Sequence, residues 1–225
     1  MFESSATRTS KSDQTRARIR DAALASFVER GYADTTMRAI AEDAGVSASN
    51  AYYYYPSKTH LVQELYVRVQ HDHALLARPR LAETTGLVNR LRVVFDTGLE
   101  AVAPYHRVAP GFLTAMVPPE SPINPLSDES ASARDMTVSL FHEAVDGAQH
   151  RVPADIVALL PNALFVGYLS LVLRWSYEQS AHGPQTRRLL DAGLKMLALA
   201  LPFVRVPGIH AASRELLTLV AEVSS

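Results

Sequence analysis

The chain has 225 residues, 48% of them hydrophobic, with 22 Lys and Arg against 23 Asp and Glu. That is enough apolar material for one large or two small domains and excludes disorder on a large scale, while a net charge of −1 excludes a general polycation and makes any nucleic-acid surface a local one. Cysteine is absent, which removes disulfides, thiolate catalysis and Cys-type zinc sites. With no apolar run of secretory length near Met1, a cytoplasmic location is expected.

Residues 1–13 are polar and rich in Ser and Thr, and are expected to form a flexible arm. From Thr15 the pattern turns helical, with Ile19, Ala23 and Phe27 on one face and Gly31 placed to end the helix. Arg16, Arg18 and Arg20 give its beginning a positive surface, either plain solvated charge or a phosphate contact. In the next stretch, Met37, Ile40, Ala41 and Ala44 have helical spacing, and Gly45 stands where a chain leaving a helix needs positive φ. Val46 plugs the turn, and Ser47 suits the N-cap of a following helix. Ala41 facing Ala51 lets the two helices cross closely, as a helix-turn-helix requires. Pro56 stops the chain and Ser57 caps a long fourth helix with Leu61, Leu65 and Val69 in one row. The expected division is an arm at 1–13, a helix-turn-helix domain at 14–57 and a helical domain at 58–225.

Beyond residue 80 everything reads helical. Leu87, Leu91, Phe95, Leu99 and Val102 mark one helix ending before Pro104, and a shorter one lies around Val108–Met116. Four prolines between 118 and 125 enforce an irregular loop, after which Asp128 and Glu129 favour a new helix N-terminus. Pro153 opens a very apolar segment in which Ile156 to Leu173 are eighteen residues without a charge. That reaches the lower limit of a membrane span, but Pro161, Asn162, Gly167 and Ser170 interrupt it, so a buried central helix and no membrane partner are expected. Gly183-Pro184 breaks it, a leucine-rich helix follows to Leu201, and a last amphipathic segment covers about 211–223. No strand alternation is present, so the fold class is all-α. The apolar helices at about 154–178 and 186–201 are expected to pair across a two-fold axis in a homodimer.

The stretch Thr36, Ile40-Ala41, Ala44-Gly45-Val46-Ser47, Ala51-Tyr52, Tyr54-Tyr55 and Ser57-Lys58, with Phe27 and Gly31-Tyr32 before it, resembles the DNA-binding domain of the TetR family of transcriptional regulators over roughly residues 15–66. Ser49 and Ala51 depart from the glycine and larger aliphatic usual there, and Tyr55 replaces a phenylalanine. The resemblance implies a DNA-binding domain joined by a long helix to a larger helical domain that binds a ligand and dimerises.

Four consecutive tyrosines on a helix point about 100° apart and cannot share one role. Tyr55, four residues after Ala51, is expected inward. Tyr53 and Tyr54 are expected to give their hydroxyls to phosphates, as the family's residues there do, and by resemblance Tyr52 touches thymine methyls or the sugar-phosphate chain. Thr36 and Ser47 at helix N-termini, with Lys58, complete the phosphate set. Base edges fall to Arg38, Ser49 and Asn50, with Ala48 offering a methyl.

What the resemblance implies is a repressor that binds a palindromic operator in double-stranded DNA as a dimer and is released by a small molecule that acts through the connecting helix. Phe95, Tyr105, Phe112, Met116, Phe141, Phe165, Tyr168 and Trp175 are the expected pocket residues and favour an apolar or aromatic effector. No cofactor or metal is expected. His71-Asp72-His73 is the best metal candidate, yet residues two apart on a helix face different ways. With no Gly-x-Ser-x-Gly, His-Glu-x-x-His or phosphate-cradling glycine loop, an enzyme is not expected. The alternative is an architectural or protein-partner-controlled DNA-binding regulator without a small-molecule ligand.

Overall fold

A computed structural model describes residues 11–150 and 152–222, and among these every regular element is helical. The chain divides into two compact units, up to Val62 and from Gln63 onward. In the first, α1 (Lys11–Asp34) packs on α2 (Met37–Asp43), which packs on α3 (Ala48–Tyr54), and α4 (Lys58–Glu83) begins. Helix α1 takes in Lys11–Asp13, three residues of the expected arm, while residues 1–10 lie outside the described residues. Gly31 breaks its helical geometry as expected, with φ 82° and ψ 161°. Just beyond, the buried Thr35 hydroxyl donates to the Gly31 carbonyl at 2.7 Å and fixes the exit.

The turn between α2 and α3 follows from its residues. Gly45 has φ 64°, and the amides of Gly45 and Val46 donate to Glu42 and Ala41 carbonyls at 3.0 Å. A side chain at that φ is strained, which is why glycine stands there. Thr36 and Ser47 are N-caps whose hydroxyls accept from the amides of Ala39 (3.1 Å) and Asn50 (3.2 Å). The core of this unit is Ile19, Ala23, Phe27, Met37, Ile40, Ala41, Ala51, Tyr55, Leu61 and Val62, all buried. Arg18 braces the turn from α1, its Nη2 donating to the carbonyls of Ala44 at 2.5 Å and Gly45 at 3.2 Å.

The second unit contains the remainder of α4, then α5 (Leu87–Val102), α6 (Ala109–Met116), α7 (Ala131–Asp146), α8 (Ala154–Ser176), α9 (Pro184–Ala200) and α10 (Pro207–Glu222), with 3-10 turns at 103–105, 128–130 and 201–203. Helix α8 packs against α6, α7, α9 and α10, and α5 packs against α7 and α9. Phe95 and Phe141 meet at the centre with ring centroids 5.0 Å apart. Arg90, buried, donates to the carbonyls of Leu81, Thr84, Glu143 and Ala144 and so satisfies the C-terminal ends of α4 and α7 together.

Two expectations about α8 are modified. Pro161 does not interrupt the element, since α8 runs through it to Ser176 with one i→i−4 bond missing. The helix is long and apolar enough to cross a membrane, yet only 33% of its most apolar eighteen-residue window is buried within the chain. It is therefore not a wholly buried central helix. One face packs on its neighbours and the other carries exposed or half-buried residues such as Ala158, Val166, Ser170 and Leu173. Part of its apolar surface is covered by α10 of the same chain rather than left for a second copy.

Candidate nucleic-acid interface and cavity

Helices α2 and α3 hold the proposed DNA-contacting side chains on an open surface. Thr36, Arg38, Ser47, Ala48, Ser49, Asn50, Tyr52 and Tyr53 are all exposed, and Tyr53 reaches 81%. The two capping hydroxyls each use a lone pair on a backbone amide and keep O–H to donate outward. Arg38 forms no hydrogen bond or ion pair with any described residue, so its five N–H donors are uncommitted. The tyrosine run divides by geometry. Tyr55 is 1% exposed, as its spacing from Ala51 predicts, and its ring lies 5.2 Å from the Arg16 guanidinium. Tyr54 is half-buried, its hydroxyl 3.2 Å from Ser12 Oγ and its ring edge-on to Tyr53 at 5.3 Å.

Lys58 stands differently from the rest of the phosphate set. Its Nζ donates to the carbonyls of Tyr32 (2.7 Å) and Ala33 (3.1 Å) and lies 4.6 Å from the Tyr32 ring. Desolvation lowers its pKa, opposed by the Asp34 carboxylate. Two of its three N–H groups therefore close the end of α1, and only one is left for a phosphate. Sequence spacing does not show this, because the carbonyls it meets are about 25 residues away.

The second unit contains a half-enclosed cavity of about 150 Å³. Its wall includes Tyr105, Phe112, Met116, Phe165, Tyr168 and Trp175, six of the eight residues expected from sequence. Phe95 and Phe141 are corrections: their rings face each other in the core and do not line the cavity, because the α5–α7 contact turns both away from it. Sequence reasoning missed the contribution of α4, which supplies Leu65, Tyr66, Val69 and Gln70, and of α7, which supplies Ala133, Arg134 and Thr137. A polar Gln70 in an otherwise apolar helical face was the available signal.

A polar cluster forms one part of the wall. Thr137 Oγ1 donates to Gln70 Oε1 at 2.7 Å, and His73 Nδ1 lies 3.3 Å from the same amide. The other ring nitrogen of His73, Nε2, donates to the Val94 carbonyl at 2.9 Å, and the ring stacks on Tyr168 with centroids 5.9 Å apart. Burial lowers the His73 pKa to about 4, against the opposing pull of the Val94 carbonyl. Burial likewise pushes the Tyr168 phenol far above its ordinary range, and its hydroxyl donates to the Gly98 carbonyl at 3.4 Å. Both rings are therefore neutral at pH 7. His71 is exposed while His73 is buried, so this pair does not converge, and among the described residues no three His, Asp or Glu gather as a metal would need.

Residues 19–65 match the family model of bacterial regulatory proteins of the tetR family, and residues 90–202 match the tetracyclin repressor-like C-terminal domain. The second match alone spans half of the chain. The chain belongs to the TetR family. Among curated TetR-type relatives it is 40% identical over 73 residues to the HTH-type transcriptional regulator TtgR of Pseudomonas putida, covering 32% of this chain and 35% of that protein. It thus spans about a third of the length of that first relative. It is 27% identical over 145 residues to the HTH-type transcriptional repressor KstR2 of Mycobacterium tuberculosis, covering 63% of this chain and 72% of the other. The TetR-family repressor FadR of Thermus thermophilus, solved in complex with lauroyl-CoA, shares the fold with a TM-score of 0.54 and 22% identity, covering 78% of this chain and 92% of that one. The TetR family is one of transcriptional regulators, which is not an enzyme class.

Proposed function

We propose that the protein is a ligand-responsive repressor that binds a palindromic operator as a homodimer and leaves it when an apolar or aromatic small molecule occupies the cavity of the second unit. One observation carries the reading. Helix α4 begins at Lys58, bonded to the end of α1, and the same helix supplies four residues to the cavity wall. A ligand pressing on Leu65, Tyr66, Val69 and Gln70 therefore acts on the helix that starts in the DNA-binding unit. For release, the ligand must prefer the conformation that binds DNA poorly, and DNA then weakens ligand binding by the same factor. FadR's complex with lauroyl-CoA supports a small-molecule effector for this fold.

On the DNA, Thr36, Ser47, Tyr53 and Tyr54 hold phosphates with help from the remaining N–H of Lys58, while Arg38 and Asn50 read base edges beside Ala48, Ser49 and Tyr52. For the dimer, α9 is apolar on both sides. Leu190 and Leu194 are buried, while Leu189, Met196 and Leu199 are 53%, 73% and 72% exposed. An outward stripe of that kind, next to the open face of α8, suits a two-fold interface. The working compartment is the cytoplasm.

The test is selection of bound sequences from random duplex DNA, with the mass of the protein measured at micromolar concentration, then the same binding repeated with a metabolite panel. The expected result is a palindrome with half-sites ~34–36 Å apart and a dimeric mass. A monomeric mass together with a single-site footprint would sink the dimer, and DNA release by no member of the panel would favour control by a protein partner.

A further inference from the structure

Arg134 is the charged side chain in the cavity wall, and no carboxylate lines the cavity with it. The residue is half-buried. Its Nη1 donates to the carbonyls of Ser127 (3.0 Å) and Pro125 (3.5 Å), which ties down the proline-rich segment leading into α7. Nη2 and Nε make no hydrogen bond with a described residue, and no described carboxylate lies within ion-pair distance.

A half-buried guanidinium left without a counter-charge, with one edge unused, gains a charge-assisted pair when an anion arrives. The Nε and Nη2 groups form one edge of the planar fork, the edge that receives a carboxylate through two parallel hydrogen bonds. An apolar wall with one cation and no anion rejects a cationic ligand, since its charge would lose hydration and gain no partner. A cavity near 150 Å³ accommodates a molecule about the size of benzene. Building on the effector reading above, we infer that the cavity takes a compact apolar or aromatic monocarboxylic acid as its free anion, with the carboxylate on Arg134 and the body against Phe112, Met116, Phe165 and Trp175. A coenzyme A thioester carries several phosphate charges, and this wall offers a single cation for them.

The test uses the full chain and three acids, cyclohexanecarboxylate, 4-phenylbutyrate and decanoate, each beside its methyl ester, together with decanoyl-CoA. Binding is followed by calorimetry and by emission of Trp175. In the wild type, at least one acid is expected to bind tenfold or more tightly than its ester. In Arg134→Gln the pair should converge to within twofold, with the ester keeping its wild-type affinity. Arg134→Lys keeps the charge without the fork and should retain part of the preference, and it decides the matter if the glutamine variant fails to fold. Esters that bind as tightly as their acids, a preference that survives Arg134→Gln, or binding by decanoyl-CoA alone would overturn the inference and leave the effector reading standing. If no acid, ester or thioester binds, the inference falls, and the effector reading is decided by the metabolite panel.

Discussion

Two tyrosines of the first unit stand outward, whereas one tyrosine of the cavity wall stands fully inward. Tyr52 and Tyr53 are 50% and 81% exposed on a seven-residue helix, whereas Tyr168 is 2% exposed on α8 and spends its hydroxyl on the Gly98 carbonyl. The arginines divide in the same way. Arg38 has no intramolecular partner among the described residues, while Arg90 has four carbonyls. What differs is where the hydrogen-bonding capacity is used. On the exposed surface of α2 and α3 it is left open, and in the second unit it is consumed in holding helix ends and a cavity wall in place. Gln70, Thr137 and Arg134 are the places where some polarity still reaches the cavity.

The largest expected effect tests the consumed side. Arg90→Met removes the side-chain donor shared by four carbonyls at helix ends, of which Leu81 and Glu143 keep a backbone amide, and should destabilise the protein by roughly 3 kcal/mol, measured as a shift of the urea midpoint. Arg18→Met, which removes two carbonyl contacts near the surface, should cost only about 1 kcal/mol in the same assay. Equal losses would show that burial does not set the difference.

His73 gives an effect of almost the same size. Its pKa falls from 6.5 to about 4 on folding, so the unfolded chain binds the proton more readily. Its contribution is complete above about pH 6.5 and is lost as pH falls toward 4, to a total of ~3 kcal/mol. Urea unfolding at pH 7 and pH 4.5 should show this slope in the wild type and a flatter one in His73→Phe. An unchanged slope would remove His73 as its source.

On the open side, Arg38→Ala should cost ~1–3 kcal/mol at particular base pairs and relax specificity there, read from binding to single-base operator variants. A uniform loss across all sequences would make Arg38 a phosphate contact. The smallest effect belongs to the caps. Ser47→Ala should lower stability by about 1 kcal/mol in a thermal melt through the lost bond to the Asn50 amide.

The helix-turn-helix was legible in the chain because its determinants are local. Thr36, Gly45 and Ser47 act on neighbours within four residues, and the inward position of Tyr55 follows from helical period alone. The helix order of the second unit was legible for the same reason, from prolines, glycines and apolar rows. The start of α1 was placed too late because Lys11–Asp13 carry no apolar residue to register the period.

The cavity was legible only in part. Aromatic content nominated eight residues, and six line it, but nothing in the spacing of Phe95 and Phe141 showed that they would turn toward each other. Lys58 read as a free cation until α1 brought two carbonyls to it. The sequence by itself determined the helical class, the turn and which side chains stand exposed on α2 and α3, since these rest on interactions one or two turns long. Tertiary structure alone decided which face of α8 is covered, which carbonyls Arg90 and Lys58 satisfy, and that Arg134 stands in an apolar wall without a counter-ion. Those depend on which helices meet, and contacts between residues 25 to 54 apart, such as those of Lys58 with α1 and of Arg90 with α7, leave no periodic trace in the chain.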